Sequence, residues 1–197
     1  LDSSIPQLQR GANDGRSEDT SNLRGPVGNW VSQLQPSAPP LLSDDKAARG
    51  LQHDKCGELL SSVEHDWSDP EVRSKIRSYE AGYESSMFAR ALYAGYSGDP
   101  KNLEEGFLKS SMMVKAFKHI FTSPKSSQDV DVTINDVERP SALQRLSQTR
   151  KSGKKSVAAL LRMNSVTPRA IAYIAVQLLF ALSSAPSWTP SHQGMDF

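Results

Sequence analysis

The chain has 197 residues, of which 37% are hydrophobic and 23% charged, and its formal net charge is +1. This length fits one domain, or one domain with a tail. The composition excludes a collagen-like chain, and the single cysteine excludes an intrachain disulfide. The even charge balance excludes a strongly basic protein and identifies no function.

The small net charge conceals a gradient along the chain. Residues 1–69 contain 6 basic and 11 acidic side chains, whereas residues 139–197 contain 8 basic and 1 acidic. No carboxylate side chain occurs between Arg139 and Met195. An asymmetry of this kind indicates that the carboxyl-terminal end faces a polyanion, or that the two ends neutralise each other.

The first fifty residues predict little folded structure. The opening segment is rich in Gly, Asp and Ser, which is typical of an unstructured chain. One helix is predicted at 26–34, because Pro26 fits the first turn of a helix and apolar residues follow at helical spacing. Residues 35–50 contain three prolines and predict a linker. We therefore expect 1–50 to be mostly disordered and 51–197 to form a helical domain.

Three helices of this domain are predicted from residues that typically begin or end a helix. The pair Asp69-Pro70 predicts a helix start, with aspartate as the N-cap and proline at the first helical position. A second, short helix is predicted to stop near Gly95. Asn102, with a glutamate three residues later as its capping partner, predicts a longer helix that reaches Pro124.

The last predicted helix begins with Thr167 as N-cap and Pro168 as its first residue. From Ala170 to Leu182, twelve of thirteen residues are apolar, which predicts a helix buried on every side. A membrane span needs about 20 such residues, so none is predicted. The expected fold is all-α or mainly α: an irregular bundle of four to five helices around a buried C-terminal helix, with a disordered N-terminus and a long, flexible basic loop at 125–156.

Several strings of residues carry a family resemblance over most of residues 17–197. They are Leu51-Gln52-His53-Asp54, Asp66 to Arg73, Arg90 to Tyr93, Phe107-Leu108, Val114 to Pro124 and Ser165 to Tyr173. These strings resemble an uncharacterised family of fungal proteins, abundant in mushroom-forming basidiomycetes and known as a domain of unknown function. The resemblance implies no activity and no catalytic residues. It also implies that relatives continue into a further apolar helix, which this chain is expected to lack.

Motifs of the common enzyme classes are absent from the sequence. It contains no Gly-x-Ser-x-Gly, no His-Glu-x-x-His and no Gly-x-Gly-x-x-Gly. His53, Cys56 and His65 could supply half of a zinc site, but such sites usually have two close pairs of ligands and only one pair here is close. No metal site, cofactor or catalytic residue is therefore predicted. An enzyme whose site assembles from scattered residues, such as His53, His65, Asp66 and His119, stays open as an alternative.

A basic segment is the strongest functional signal in the sequence. Clusters of this kind are typical of nucleic-acid-binding patches and nuclear localisation signals. They bind phosphates with a steep dependence on salt. A solvated, flexible loop is the alternative interpretation. The candidate nucleic-acid-binding residues are Arg145, Arg150, Lys151, Lys154, Lys155 and Arg162.

The function predicted from these features is a non-enzymatic interaction domain of a fungal protein, with a protein or a nucleic acid as its partner. The lack of a secretory signal and the single cysteine favour an intracellular setting, and the basic segment extends this expectation to the nucleus. A degenerate copy that lacks its last helix is a further alternative.

Overall fold

The computed structural model describes residues 4–34, 41–42, 45–83, 87–128, 130, 155–189, 191–192 and 195–196. Within them the chain is mainly helical, as the sequence predicts. The α-helices are α1 (Ser4–Leu34), α2 (Asp54–Leu60), α3 (Pro70–Arg77), α4 (Ser111–Phe117), α5 (Val157–Leu160) and α6 (Pro168–Leu182). Short 3-10 helices cover Gly50–Gln52, Arg90–Leu92, Ala94–Tyr96 and Pro124–Ser127, and a π-helical turn extends α4 over Lys118–Thr122. One antiparallel pair joins β1 (Ser191–His192) to β2 (Met195–Asp196).

Helix α6 lies at the centre of the fold. Nine of its fifteen residues are buried, and it packs against α1, α2 and α4. The prediction of a buried C-terminal helix is therefore confirmed. Across the part of the chain that the structure describes, no helix is both long and apolar enough to span a membrane.

Two helices begin where the sequence predicts. Thr167 caps α6 by accepting a hydrogen bond from the backbone N–H of Ala170 at 3.2 Å. Asp69 caps α3 by accepting from the backbone N–H of Glu71 at 2.8 Å. In both helices a proline occupies the first turn. Backbone N–H groups in the first turn have no partner within the helix, so the N–H that proline lacks is not needed there.

Helix α1 begins much earlier than the predicted segment 26–34 and passes through Pro26 without ending. Its buried residues include Leu23 and Val27. One turn earlier, the hydroxyl of Thr20 donates to the side-chain oxygen of Gln177 on α6 at 2.9 Å. These contacts with α6 outweigh the low helix propensity of the Gly- and Asp-rich residues, which is an effect of tertiary packing.

The predicted helix that starts at Asn102 is wrong in its first half. Helix α4 begins only after Ser110, whose hydroxyl accepts a hydrogen bond from the third residue of the helix at 3.0 Å. The backbones of Gly106 (φ 73°) and Leu108 (φ 58°) are left-handed, a conformation that an α-helix of L-residues cannot continue through. The short helix predicted to stop near Gly95 is likewise replaced by two 3-10 turns.

The loop predicted at 125–156 is described only at its two ends. Residues 131–154 lie outside the described residues. At the start of the predicted loop, Pro124–Ser127 forms a 3-10 helix that Ser123 caps, and Val130 is buried. The ordered structure after α4 therefore extends several residues further than the sequence predicts.

Two buried cations contact the carboxyl end of α6. The ammonium group of Lys46 donates to the carbonyl oxygen of Phe180 at 2.7 Å and to that of Ala185 at 2.6 Å. The guanidinium group of Arg49 donates to the carbonyl of Ala181 at 2.8 Å and to a backbone carbonyl of α1 at 2.8 Å. The last turn of a helix leaves carbonyl groups unpaired and carries a partial negative charge. Both cations therefore stabilise the end of α6.

Replacing Arg49 with methionine removes its hydrogen-bond donors and keeps much of its volume. Three backbone carbonyls lose a partner, one of them, that of Ala181, in a buried hydrogen bond, so we expect Arg49→Met to lower the free energy of unfolding by about 3 kcal/mol. Urea denaturation followed by circular dichroism measures this value. Arg10→Met, at an exposed position of α1, is the control and should change it by less than about 0.5 kcal/mol. Equal values for the two variants would contradict the role assigned to Arg49.

Candidate functional site

A groove of about 430 Å³ opens on the surface between α4, its π-helical turn and the first half of α6. We call it the apolar groove, because only two of the side chains that line it, Lys118 and Thr122, are polar. The apolar residues lining it are Leu108, Met113, Val114, Phe117, Val166, Ile171 and Ile174.

The backbone around α4 shapes one wall of the apolar groove. Leu108 has a left-handed backbone (φ 58°), which turns the chain just before the helix begins. After Phe117 the hydrogen bonding changes from α-helical to π-helical. A π-helical turn contains one extra residue, and such turns occur frequently at functional sites. Both polar residues of the groove belong to this turn.

Exposed aliphatic side chains are concentrated at the apolar groove and beside it. Val114 is 42% exposed and Val166 is 56% exposed. On α5, Leu160 and Leu161 are 62% and 61% exposed. Thr122 lines the groove and also a neighbouring cavity to which Leu160 contributes, so α5 lies next to the groove. Contiguous exposed apolar surface is typical of an interaction site.

Both walls of the apolar groove come from segments without carboxylate side chains. Residues 106–128 contain four lysines and no Asp or Glu, and residues 139–195 also contain no Asp or Glu. Lys118 lines the groove itself. Arg162 follows α5, and Arg169 lies in the first turn of α6. The groove is therefore apolar inside, and the charges of the segments that form it are positive.

The cavity next to the groove has a volume of about 760 Å³ and contains a cluster of titratable groups. Asp19 and His119 line this cavity, and the hydroxyl of Tyr173 donates to the carboxylate of Asp19 at 2.7 Å. Burial raises the pKa of Asp19 and of Tyr173 and lowers the pKa of His119. Shifted pKa values occur at functional sites. Here the largest cause of each shift is the burial of groups where α1 and the π-helical turn meet α6.

The basic segment singled out by the sequence is described only at its end. Arg145, Arg150, Lys151 and Lys154 lie outside the described residues. Lys155 and Arg162 are exposed, and Lys155 lines the cavity that contains Asp19. The phosphate-binding patch stays a prediction.

The residues of the alternative enzyme site have separate local partners. His53 caps α2 through its Nδ1 atom, and His65 packs against a tyrosine ring with 5.0 Å between the ring centroids. Asp66 is exposed and accepts hydrogen bonds from a serine two residues later, whereas His119 lies edge-on to a tryptophan ring. Burial raises the pKa of the Cys56 thiol to about 12. Throughout the described ranges, no three His, Cys, Asp or Glu residues are placed to hold a metal ion.

The apolar groove is not evident from the sequence. Val114 falls within the helix predicted to reach Pro124, and Val166 precedes the N-cap of α6, where an apolar residue often packs onto the helix. Such positions usually belong to the core, yet both side chains are exposed. The usable signal was the absence of carboxylates from 106–128, which marks the same surface.

Fold and site together define a mainly helical protein with an exposed apolar groove. The chain belongs to DUF6698, a family of unknown function, whose family model matches residues 10–197. No curated protein and no solved structure matches the chain. The resemblance of the sequence to an uncharacterised family is thereby confirmed.

The hydrogen bond from Tyr173 can be tested through the pKa of Asp19. This bond lowers the pKa and opposes the larger effect of burial, so Tyr173→Phe should raise the pKa of Asp19 above its wild-type value. The pKa of Asp19 is higher in the folded protein than in the unfolded chain, so the free energy of unfolding falls as pH rises from the unfolded-state pKa to the folded-state pKa. In Tyr173→Phe the folded-state pKa is higher still, so this fall continues to a higher pH. A ¹³C NMR titration of the carboxyl group measures the shift. Tyr79→Phe serves as the control, and an unchanged pKa in Tyr173→Phe would rule out the bond.

Proposed function

We propose that this chain is a non-enzymatic interaction domain whose apolar groove binds an acidic amphipathic helix of a partner protein. The observation that supports this function is the combination of exposed aliphatic side chains with a groove whose one charged lining residue is Lys118. An apolar face alone fits many ligands. The lysine, together with the exposed Arg169 at the start of α6, favours a helix whose apolar residues are flanked by Asp or Glu.

Binding of a helix in this groove follows a known pattern of contacts. The apolar residues of the ligand lie on one helical face, at spacings of three and four residues. Complete burial of a Val or Leu side chain contributes about 1.5–3 kcal/mol. Val114 and Val166 are 42% and 56% exposed, so covering the exposed part of each contributes about half of that value. Carboxylates beside that face contribute mainly to the association rate and to specificity.

The cellular setting is part of the same proposal. An intracellular location is supported by the single, buried cysteine, because extracellular domains more often contain disulfides. A fungal origin is supported by the resemblance of the sequence alone. A nuclear location is supported only by the basic segment of the sequence.

The groove can be tested with peptide libraries displayed as helices. One library has Leu at helical spacing with flanking Glu, and a second has Lys in place of Glu. We expect the wild-type chain to select binders from the Glu library only. Val114→Glu and Val166→Glu should each weaken a selected peptide about tenfold or more, because each variant removes an apolar contact and repels the carboxylates. Isothermal titration calorimetry measures the affinities.

Met87→Glu is the matched control, because Met87 is 64% exposed and does not line the groove. It should leave peptide binding unchanged. Selection from the Lys library, or equal losses in Met87→Glu and Val114→Glu, would show that the groove is not the binding site. Analytical ultracentrifugation tests whether the chain forms a dimer. A dimer that dissociates in Val114→Glu would show that the groove binds a second copy of this chain and not a helix of another protein.

A second candidate function is binding to nucleic acid through Arg145, Arg150, Lys151, Lys154, Lys155 and Arg162. The exposure of Lys155 and Arg162 favours it, as does the absence of carboxylates from the surrounding sequence. Phosphates bound in this way displace condensed counterions, so the affinity would depend on salt and only weakly on base sequence.

Fluorescence polarisation with a labelled single-stranded oligonucleotide tests this second function. With four phosphates contacted, the affinity for a single strand should fall about fiftyfold when the salt concentration rises about fourfold. Alanine at Arg150, Lys151, Lys154 and Lys155 should remove most of this salt dependence, whereas Lys75→Ala combined with Lys101→Ala should not. An affinity that is insensitive to salt, or to the four alanines, excludes the nucleic-acid function.

A further inference from the structure

A third cavity, of about 460 Å³, lies between one face of α1 and the segment that follows α6. Arg16 and Arg24 lie two helical turns apart on this face, and hydroxyl-bearing residues, including Ser21, lie between them. The indole ring of Trp188 lines the cavity from the other side. None of the described residues lining this cavity is acidic.

Positive charge accumulates behind this cavity. Arg24, Lys46 and Arg49 lie close enough for their charges to interact. The pKa of Lys46 is lowered to about 7, mainly by burial and to a smaller extent by the charges of Arg24 and Arg49. The ion pairs among the described residues join Lys55 to Glu58 and Arg77 to Asp54, so none of them involves these three cations. Asp45 acts on Arg49 without forming an ion pair with it. A bound anion would therefore stabilise this end of the molecule.

Arg24 has hydrogen-bond donors to spare for such an anion. Its Nη2 atom donates to the carbonyl of Pro186 at 3.4 Å, near the upper limit for a hydrogen bond. Its Nε atom is buried and has no hydrogen-bond partner. A guanidinium group has five donors arranged to bind the oxygens of carboxylates and phosphates.

Trp188 differs from the other two tryptophans in its exposure. It is 45% exposed, whereas Trp30 and Trp67 are 7% and 8% exposed. The ring of Trp188 packs on that of Phe180 with 5.1 Å between the centroids. A half-exposed indole at the edge of a cationic cavity is a surface on which an aromatic base can stack.

We propose that this cavity binds a phosphate monoester that carries an aromatic base, with the phosphate at Arg24 and the base stacked on Trp188. The hydroxyl of Ser21, one turn before Arg24 on the same face of α1, is placed to donate to the phosphate. Arg16 adds positive charge at the far end of the cavity. A free nucleotide and the phosphorylated end of a nucleic-acid strand share this chemistry. The cavity shares no lining residue with the apolar groove, so the inference goes beyond the proposed function and stands independently of it.

The test titrates the full chain with adenosine monophosphate and follows tryptophan fluorescence and heat. Adenosine, ribose 5-phosphate and inorganic phosphate each contain only part of the ligand, and each should bind at least about tenfold more weakly. Arg24→Met should weaken the nucleotide about tenfold or more. Trp188→Leu should weaken it similarly and abolish the fluorescence change, whereas Arg10→Met on the same helix should change neither.

Circular dichroism and thermal unfolding show whether each variant is folded. If Arg24→Met does not fold, the result for Trp188→Leu decides the test. Equal affinity for the nucleotide and for inorganic phosphate would overturn the proposal, as would unchanged nucleotide binding in Trp188→Leu. A 5′-phosphorylated tetranucleotide distinguishes the two sources of the ligand. Tighter binding of the tetranucleotide assigns the site to a strand end, and tighter binding of the mononucleotide assigns it to the free nucleotide.

Discussion

Helix α6 ends inside the protein, where the carbonyl groups of its last turn cannot be hydrated. A buried helix end without partners for these carbonyls costs free energy for each unpaired group. Ser183 donates to the carbonyls of Leu179 and Phe180, and Lys46 and Arg49 donate to those of Phe180 and Ala181. The ring of Phe180 lies 3.6 Å from the ammonium group of Lys46. The negative end of the helix dipole and the face of the ring both favour a cation at this place. Two positive charges from outside the helix therefore stabilise its buried end.

One of these two residues, Arg49, also contacts α1. Arg49 donates to a carbonyl of α1 and to one of α6, so a single guanidinium group joins the two longest helices. Thr20 with Gln177 and Asp19 with Tyr173 add hydrogen bonds further along the contact. The cavity with Trp188 and the cavity with Asp19 both use residues of α1. Both cavities thus depend on the contact that Arg49 completes.

Local signals predicted the helices that begin with a capping residue. Asp69 and Thr167 each precede a proline, and the N-cap hydrogen bond involves only residues within the first turn. The first part of α1 has no such signal, because it is held by side chains of α6 that lie more than 150 residues away in sequence. The start of α4 was placed wrongly because the left-handed backbone of Leu108 is unusual for a β- or γ-branched residue and has no signature in the sequence.

The apolar groove could not be predicted from the sequence, for a different reason. Periodicity identifies apolar positions and cannot show whether a neighbouring element covers them. Val114 belongs to the apolar stripe of α4, and its 42% exposure results from what packs beside that helix. The carboxylate-free segments 106–128 and 139–195 are readable from the sequence. Only the fold shows that residues of both segments meet at one groove.

The charge gradient of the sequence has two interpretations, and the described residues show where three of the basic side chains after Arg139 lie. Neutralisation within the chain would join acidic residues of the amino-terminal part to basic residues after Arg139. The ion pairs among the described residues instead lie within 54–77. Asp19, although it contacts α6, accepts a hydrogen bond from a tyrosine there and not from a cation. Among the described basic residues after Arg139, Lys155, Arg162 and Arg169 are exposed and belong to neither ion pair. The proposed use of the apolar groove requires exposed positive charge of this kind.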